Sequence, residues 1–168
     1  LSSLTSGVVV ELGCGGKKYQ TGIKGTYYGF DLRADVYEGP GPDAIADVQM
    51  LPIRAGCADV VFLVAALYLI ADTSKVLCEC WRILKCDGTL LVFDYNWWVA
   101  RRCKGLHRFT SLGLARELRS SGFLVEIHRD CVPVRGPALL RRLFSVKTFR
   151  YLVYVVSNWI VVSGSKSR

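Results

Sequence analysis

Apolar residues along this chain cluster in short, continuous runs, several of which end in an acidic residue. The first run, Val8–Leu12, leads directly into a glycine-rich turn at residues 13–16, and similar runs occupy residues 26–31, 44–47, 59–65 and 89–94. Continuous apolar runs of this length are typical of parallel strands that are buried on both faces. Four of the runs carry a carboxylate at their C-terminal end: Glu11, Asp31, Asp47 and Asp94.

Between and after these runs, the apolar spacing changes to that of helices. One helix is predicted to begin at Asp72 or Thr73 and to end at Asp87-Gly88, and a second to begin after Thr110 and to end at Gly122. Strands are predicted at residues 123–128 and 159–162, and a helical insertion at residues 137–156. Lys17–Gly25 has room for only a helical turn or two.

Strands that alternate with helices predict a single α/β domain over residues 1–168, with a parallel sheet that helices cover on both faces. In such sheets the ligand binds beyond the carboxyl ends of the strands, near the point where the strand order reverses. The row of carboxylates should therefore lie along the edge where a ligand binds. No run reaches the length of a membrane span, and no secretory signal is visible.

Charge and cysteine content narrow the range of partners and locations. Residues 1–100 hold 8 Lys or Arg and 11 Asp or Glu, whereas residues 101–168 hold 14 and 3. The basic C-terminal part would attract anions such as phosphorylated substrates, RNA or an acidic membrane surface. The seven cysteines form no C-x-x-C pair, and only two histidines are present. We therefore expect reduced thiols, no zinc site and a cytoplasmic protein, with peripheral membrane contact as an option.

The glycine-rich turn and the acidic edge suit one class of nucleotide ligand better than another. A dinucleotide site would need G-x-G-x-x-G at the start of a helix, but Lys18 stands at the third glycine position. A row of carboxylates also suits pyrophosphate poorly. It suits a ligand with a cationic end, ribose hydroxyls and an exocyclic amine, and S-adenosylmethionine (SAM) has all three.

Several stretches in order resemble the class I SAM-dependent methyltransferases. ELGCGGKKY resembles their glycine-rich first motif in its GCG-x-K-P-Y form, and GFD resembles the acidic end of their second strand. ADVQMLPI, RILKCDGTLLV and HRFTSLGLARELRSSGF resemble the motifs after strand three, before strand five and before strand six. The resemblance implies a Rossmann-like, three-layer α/β/α sandwich with a mostly parallel seven-stranded sheet and an antiparallel last strand. Residues 132–157 would form a basic helical insertion between the last two strands.

The resemblance also implies roles for individual residues in binding SAM. Gly13, Cys14 and Gly15 would approach the methionine portion, and Glu11 would anchor its ammonium group. Asp31 would accept both ribose hydroxyls, Leu32 would pack on the adenine, Asp47 and Val48 would bind its amino group and a ring nitrogen, and Ala65 would line the pocket. Five of these residues also have a structural alternative: a tight turn for Gly13 and Gly15, a loop cap for Asp31, the start of a turn for Asp47, and bonds to loop amides for Glu11.

Several residues near the predicted strand ends could serve as a catalytic base. Candidate bases are His107, Tyr68 and Tyr95, together with Asp94, whereas packing roles for His107 remain open. Many relatives carry a histidine where this chain has Leu69. The chain begins close to its first strand, so we expect either that the insertion or a partner covers the cofactor, or that the site is unusually open.

The sequence analysis thus predicts a metal-independent SAM-dependent methyltransferase that acts on a small-molecule or lipid-like acceptor. Residues 95–98 (YNWW), the basic stretch 101–108 and the insertion before the last strand are expected to build the acceptor region. Two alternatives stay open. One is an RNA methyltransferase, and the other is a non-catalytic SAM-binding subunit that docks a protein partner through its basic face.

Overall fold

A seven-stranded sheet forms the centre of the protein, for which we use a computed structural model that describes residues 7–35, 38–97, 105–128 and 159–166. The strands are β1 (Val8–Leu12), β2 (Thr26–Asp31), β3 (Ala44–Ile45), β4 (Ala58–Val64), β5 (Leu84–Tyr95), β6 (Leu124–Ile127) and β7 (Trp159–Ser165). The described helices are α1 (Thr73–Ile83), α2 (Ser111–Ser120) and short 3-10 helices at Gln20–Gly22 and Leu67–Leu69.

The strands lie in the order β3-β2-β1-β4-β5-β7-β6. Strands β1 to β5 pair in parallel, and β7 is antiparallel to both β5 and β6. The predicted mostly parallel seven-stranded sheet with an antiparallel last strand is therefore confirmed. The chain order reverses between β1 and β4, which opens a crevice at the carboxyl edge of the sheet.

Alternation along the strands divides the core between the two faces of the sheet. Val10 and Leu12 of β1 belong to the main core, which also contains the apolar faces of α1 and α2. Val9 belongs to a smaller cluster on the other face, against which Ile23 and Tyr27 pack. Between β1 and β2 the described chain forms only a 3-10 helix, because this short segment has no room for a full helix.

The helix caps agree with the sequence prediction, but the end of α1 does not. The side chain of Asp72 accepts a hydrogen bond from the Lys75 amide, and Thr110 does the same for Gly113. The prediction that Asp87-Gly88 ends α1 was wrong, because the helix stops at Ile83 and both residues lie within β5. Tertiary contacts impose this end: amides of residues 56 and 57 donate to the last carbonyls of α1.

The lengths of two strands also differ from those predicted from the sequence. Strand β3 covers only two residues of the predicted 44–47, and β7 extends three residues beyond the predicted 159–162. The predicted insertion at residues 137–156 lies outside the described residues. Among the residues that the structure describes, no helix is long and apolar enough to span a membrane.

Candidate functional site

The glycine-rich turn after β1 packs tightly against the loop that follows β4. Gly13 has a φ of +73°, and a Cβ atom at this position would lie 2.6 Å from the Cβ of Ala66. Gly15 also has a positive φ, of +51°. Gly13 therefore requires glycine, and Gly15 has a conformation that glycine adopts without strain, so the backbone of the turn borders the crevice without a side chain at either position.

A cavity of about 300 Å³ opens at the carboxyl edge, beside this turn. Six of the nine residues predicted to bind the cofactor line it: Gly13, Asp31, Leu32, Asp47, Val48 and Ala65. Its volume falls at the lower end of the range of small-molecule sites. The structure thus brings together residues that are more than 50 positions apart in the sequence.

Seven further lining residues were not predicted from the sequence: Ala46, Gln49, Ala66, Leu69, Ile70, Ala71 and Leu106. Most of them belong to the loop after β4. Leu106 reaches the cavity because its amide donates to the carbonyl of Tyr68, at 2.8 Å. The one available signal was Leu69, which stands where many relatives carry a histidine.

Asp31 ties the end of β2 to the glycine-rich turn. The residue is 9% exposed, and its carboxylate accepts hydrogen bonds from the amides of Gly15, at 2.8 Å, and Arg33, at 3.2 Å. These bonds match the alternative role of a loop cap, yet a carboxylate offers about four lone-pair sites. Asp31 can therefore cap the loop and still accept bonds from a ligand in the cavity. Leu32, next to it, is 65% exposed.

Asp47 and Val48 line the cavity from the segment after β3. Asp47 is exposed, and its carboxylate accepts hydrogen bonds from the backbone amide and the side chain of Gln49, at 2.9 and 3.1 Å. Asp47 therefore starts a turn, as its structural alternative supposed. Asp47 nevertheless lines the cavity, as does Val48, which is buried.

Glu11, two residues before the glycine-rich turn, is buried and only 1% exposed. It accepts a short hydrogen bond from the Tyr27 hydroxyl. Burial raises the pKa of Glu11 to about 7, with a further contribution from the Asp31 charge and an opposing one from the Tyr27 hydrogen bond. A cationic group that reached Glu11 would favour its ionised form.

The Cys14 side chain packs toward β2 and does not line the cavity. Its sulfur would lie 2.8 Å from a Cβ atom at Gly29, so the thiol fills the space that this glycine leaves. Burial, together with the charges of Glu11 and Asp31, raises the pKa of Cys14 to about 12. The thiol therefore stays protonated, and only the backbone of Cys14 is available to a ligand. The five described cysteines, at positions 14, 57, 78, 80 and 86, are free.

The candidate bases Tyr68, Tyr95 and His107 lie in one group at the carboxyl edge. The rings of Tyr68 and Tyr95 meet edge to face, with centroids 5.2 Å apart. The His107 amide donates to the Tyr68 carbonyl at 3.0 Å, and the imidazole stacks on Phe109. Nε2 of His107 lies 3.1 Å from the Ala71 carbonyl, which can only accept, so Nε2 carries the proton and Nδ1 can take one up.

Asp94, at the end of β5, holds the backbone of the two tyrosines in place. It is 0% exposed, and its carboxylate accepts hydrogen bonds from the amides of Tyr68, at 3.1 Å, and Tyr95, at 2.6 Å. Burial raises the pKa of Asp94 to about 7, against the effect of these amides. Asp94 therefore orders the chain around the candidate bases and is not itself exposed to a substrate. Among the described residues, no group of three or more His, Cys, Asp or Glu could hold a metal.

Comparison with known proteins supports this interpretation of the fold. A family model described as "Methyltransferase domain" matches residues 10–92, which span β1 to β5. This part of the chain contains the glycine-rich turn and every residue that was predicted to bind the cofactor. No curated protein matches the sequence.

Several solved structures can be superposed on nearly the whole of this chain. A protein described as an S-adenosylmethionine-dependent methyltransferase from Mesorhizobium loti has a TM-score of 0.70 at 16% identity, over 99% of this chain and 94% of that one. A methyltransferase chain from a complex with the Haloferax volcanii Trm112 methyltransferase activator has a TM-score of 0.69 at 19% identity, over 98% and 84%.

A third structure, phosphoethanolamine N-methyltransferase 2 of Haemonchus contortus in complex with SAM, has a TM-score of 0.67 at 16% identity. The match covers 98% of this chain and 49% of that one. At these identities the comparisons establish the fold. The chain therefore has the Rossmann-like fold of the class I methyltransferases, and its residues 10–92 match the methyltransferase domain family.

Proposed function

We propose that this chain binds SAM and transfers its methyl group, without a metal, to a small-molecule or lipid-like acceptor. The cavity at the carboxyl edge carries the proposal. Asp31 and Asp47 lie at its wall, each followed by an apolar residue that also lines it, Leu32 and Val48. Two acids with adjacent apolar surface suit the ribose hydroxyls and the adenine ring of an adenosyl group.

The remaining residues suit the other end of the same ligand. Gly13 lines the cavity, and Glu11 lies buried two residues before it, where it would pair with the ammonium group of the methionine portion. Ala65, with a φ of +51°, turns the chain at the end of β4 and leaves only a methyl group at the wall. The charge of these residues suits the cationic end of SAM.

The sulfonium of SAM supplies an activated methyl group, so the protein mainly has to align the acceptor and exclude water. An acceptor that loses a proton also needs a base. His107, with Nδ1 able to take up a proton, is the first candidate, and the hydroxyls of Tyr68 and Tyr95 would orient the acceptor beside it. Asp94 would keep both tyrosines in position through their amides.

A small acceptor is supported by the Haemonchus contortus structure, whose name specifies phosphoethanolamine as its substrate. The basic character of residues 101–168 would suit an acceptor that carries a phosphate group. The same charge leaves RNA and an anionic membrane surface as further predictions. A cytoplasmic location also stays a prediction.

A second candidate function is a SAM-binding subunit that a protein partner activates. It is favoured by the similarity to the chain from the complex with the Trm112 activator, of which this chain covers 84%. In that case the isolated chain would bind SAM and turn over acceptor only in a complex.

Titration calorimetry with SAM and S-adenosylhomocysteine (SAH), followed by methyl transfer assays with a panel of phosphorylated amines, lipids and RNA, tests the proposal. We expect binding of both ligands and turnover with an acceptor from the small-molecule or lipid group. Binding without any turnover, reversed by addition of an activator protein, would favour the subunit. The absence of binding to either ligand would overturn both functions.

A further inference from the structure

Lys17, directly after the glycine-rich turn, has a backbone conformation that a lysine rarely adopts. Its φ is +53°, in the left-handed region where side chains other than those of glycine and asparagine are disfavoured. Its side chain is nevertheless only 7% exposed, and Nζ lies 2.6 Å from Oδ1 of Asp43. A favourable contact of this side chain must therefore offset the strained backbone.

Asp43 connects this lysine to the second strand. Its other oxygen, Oδ2, accepts a hydrogen bond from the Gly29 amide at 2.7 Å, and its own amide donates to the Gly29 carbonyl at 2.8 Å. Partial burial opposes the charge of Asp43, but the Lys17 ammonium and the Gly29 amide outweigh it and hold the pKa below its ordinary value. The Asp43 carboxylate is therefore ionised at neutral pH.

The loop between β2 and β3, which ends at Asp43, also contacts the glycine-rich turn directly. A Cβ atom at Gly16 would lie 2.0 Å from the carbonyl oxygen of Glu38, and one at Gly39 would lie 2.6 Å from the Gly16 carbonyl oxygen. The backbones of the two segments therefore touch at Gly16 and Gly39. The Lys17–Asp43 ion pair adds a second link between them, one residue after Gly16. Asp43 is itself bonded to Gly29 of β2, the strand that ends at Asp31.

We propose that Lys17 and Asp43 are a positioning pair that holds the glycine-rich turn in the shape needed by the methionine portion of SAM. This inference rests on the proposed SAM site. The pair acts through the backbone of residues 13–17, whereas Asp31, Asp47 and Val48 bind the adenosyl portion from β2 and the segment after β3. Loss of the pair should therefore weaken binding of the amino-acid end and leave binding of the adenosyl end unchanged.

Two ligands separate these effects. SAH carries the amino-acid end, and 5′-methylthioadenosine lacks it but keeps the adenosyl group. Calorimetry would compare both ligands on the wild type and on Lys17→Met, Asp43→Asn and the double variant. Lys17→Arg tests rescue of the ion pair, and Lys24→Met, at an exposed lysine nearby, is the matched control. Thermal unfolding of every variant shows whether it is folded.

We expect Lys17→Met and Asp43→Asn each to weaken SAH binding by roughly tenfold and methylthioadenosine binding by less than about twofold. The double variant should be no weaker than either single variant, because both remove one interaction. Lys17→Arg should keep most of the wild-type affinity for SAH, because it can still pair with Asp43. Lys24→Met should bind SAH as tightly as the wild type.

Equal loss of affinity for both ligands, or additive losses in the double variant, would overturn the proposal, as would unchanged SAH binding in Lys17→Met. If the wild type binds neither ligand, the SAM site itself fails. If the wild type binds both ligands and the variants keep its ratio of affinities, the SAM site stands and only the positioning pair fails.

Discussion

The carboxylate of Asp31 accepts a hydrogen bond from the Gly15 amide at 2.8 Å, so the end of β2 and the turn after β1 form one unit. Both segments border the cavity at the carboxyl edge. Asp31 therefore caps the turn with one oxygen and keeps its remaining lone pairs for a ligand in the cavity. This relationship makes Asp31 the most informative position for a first test.

Asp31→Asn should weaken SAH binding by about ten- to a hundredfold, because a hydrogen bond to a charged group contributes roughly 1.5–3 kcal/mol. Asparagine keeps one carbonyl oxygen for the Gly15 amide, so the turn should survive. Calorimetry measures the affinity. Asp35→Asn is the control, since Asp35 is exposed and pairs only with Arg33 at 3.5 Å in its described contacts. Wild-type affinity in Asp31→Asn would contradict the assignment of the ribose site.

Gly13→Ala should destabilise the protein by about 2 kcal/mol or more, from the clash with Ala66 and the positive φ together. Urea unfolding measures this change. The matched substitution is Gly22→Ala, where an added Cβ meets no described atom within 4 Å and φ is not positive. That variant should be neutral or more stable by up to about 1 kcal/mol. Equal effects of the two substitutions would show that the turn is not tightly packed.

Stability should fall as the pH rises from about 5 to 8, in part because of Glu11. Its folded pKa, about 7, lies above the ordinary value of 4.5, so the folded state binds more protons than the unfolded state across this interval. Glu11 accounts for at most about 3 kcal/mol of this decrease in the free energy of unfolding. Asp94 acts in the same direction, since its pKa is also raised to about 7.

The variant Glu11→Gln isolates the contribution of Glu11. Urea unfolding at several pH values should give a shallower decrease for this variant than for the wild type, with the remaining slope due in part to Asp94. Identical slopes would mean that the Glu11 carboxylate titrates normally in the folded protein. In the wild type, SAH affinity should rise over the same interval, because an ammonium group selects the ionised carboxylate.

His107→Gln should lower turnover by about 10²- to 10⁴-fold with an acceptor that must lose a proton. The glutamine amide can still donate to the Ala71 carbonyl, so the loop should keep its shape. SAH affinity should stay within about twofold of the wild type. An unchanged turnover and pH profile would assign His107 to packing on Phe109 alone.

Local sequence predicted the parts of this fold that depend on local patterns. Continuous apolar runs predicted the positions of β1 and β4, because a strand buried on both faces leaves little room for polar side chains. The β-forming residues of TYYGFD predicted β2, whose first half is partly exposed. The caps at Asp72 and Thr110 were also predictable, since a cap bonds an amide only three residues away. Asp31 could be placed at the carboxyl edge because it ends a strand.

Tertiary structure decided where elements stop and which distant residues meet. The end of α1 at Ile83 depends on amides from residues 56 and 57, and Asp87-Gly88 joins β5 through hydrogen bonds with Lys166. Leu106 reaches the cavity only through its bond to the Tyr68 carbonyl. The sequence by itself determined the acidic edge and the glycine-rich turn, because both follow from strand ends and turn chemistry. The left-handed Lys17, its pairing with Asp43 and the group around Asp94 depend on contacts between segments far apart in the chain, which no local pattern encodes.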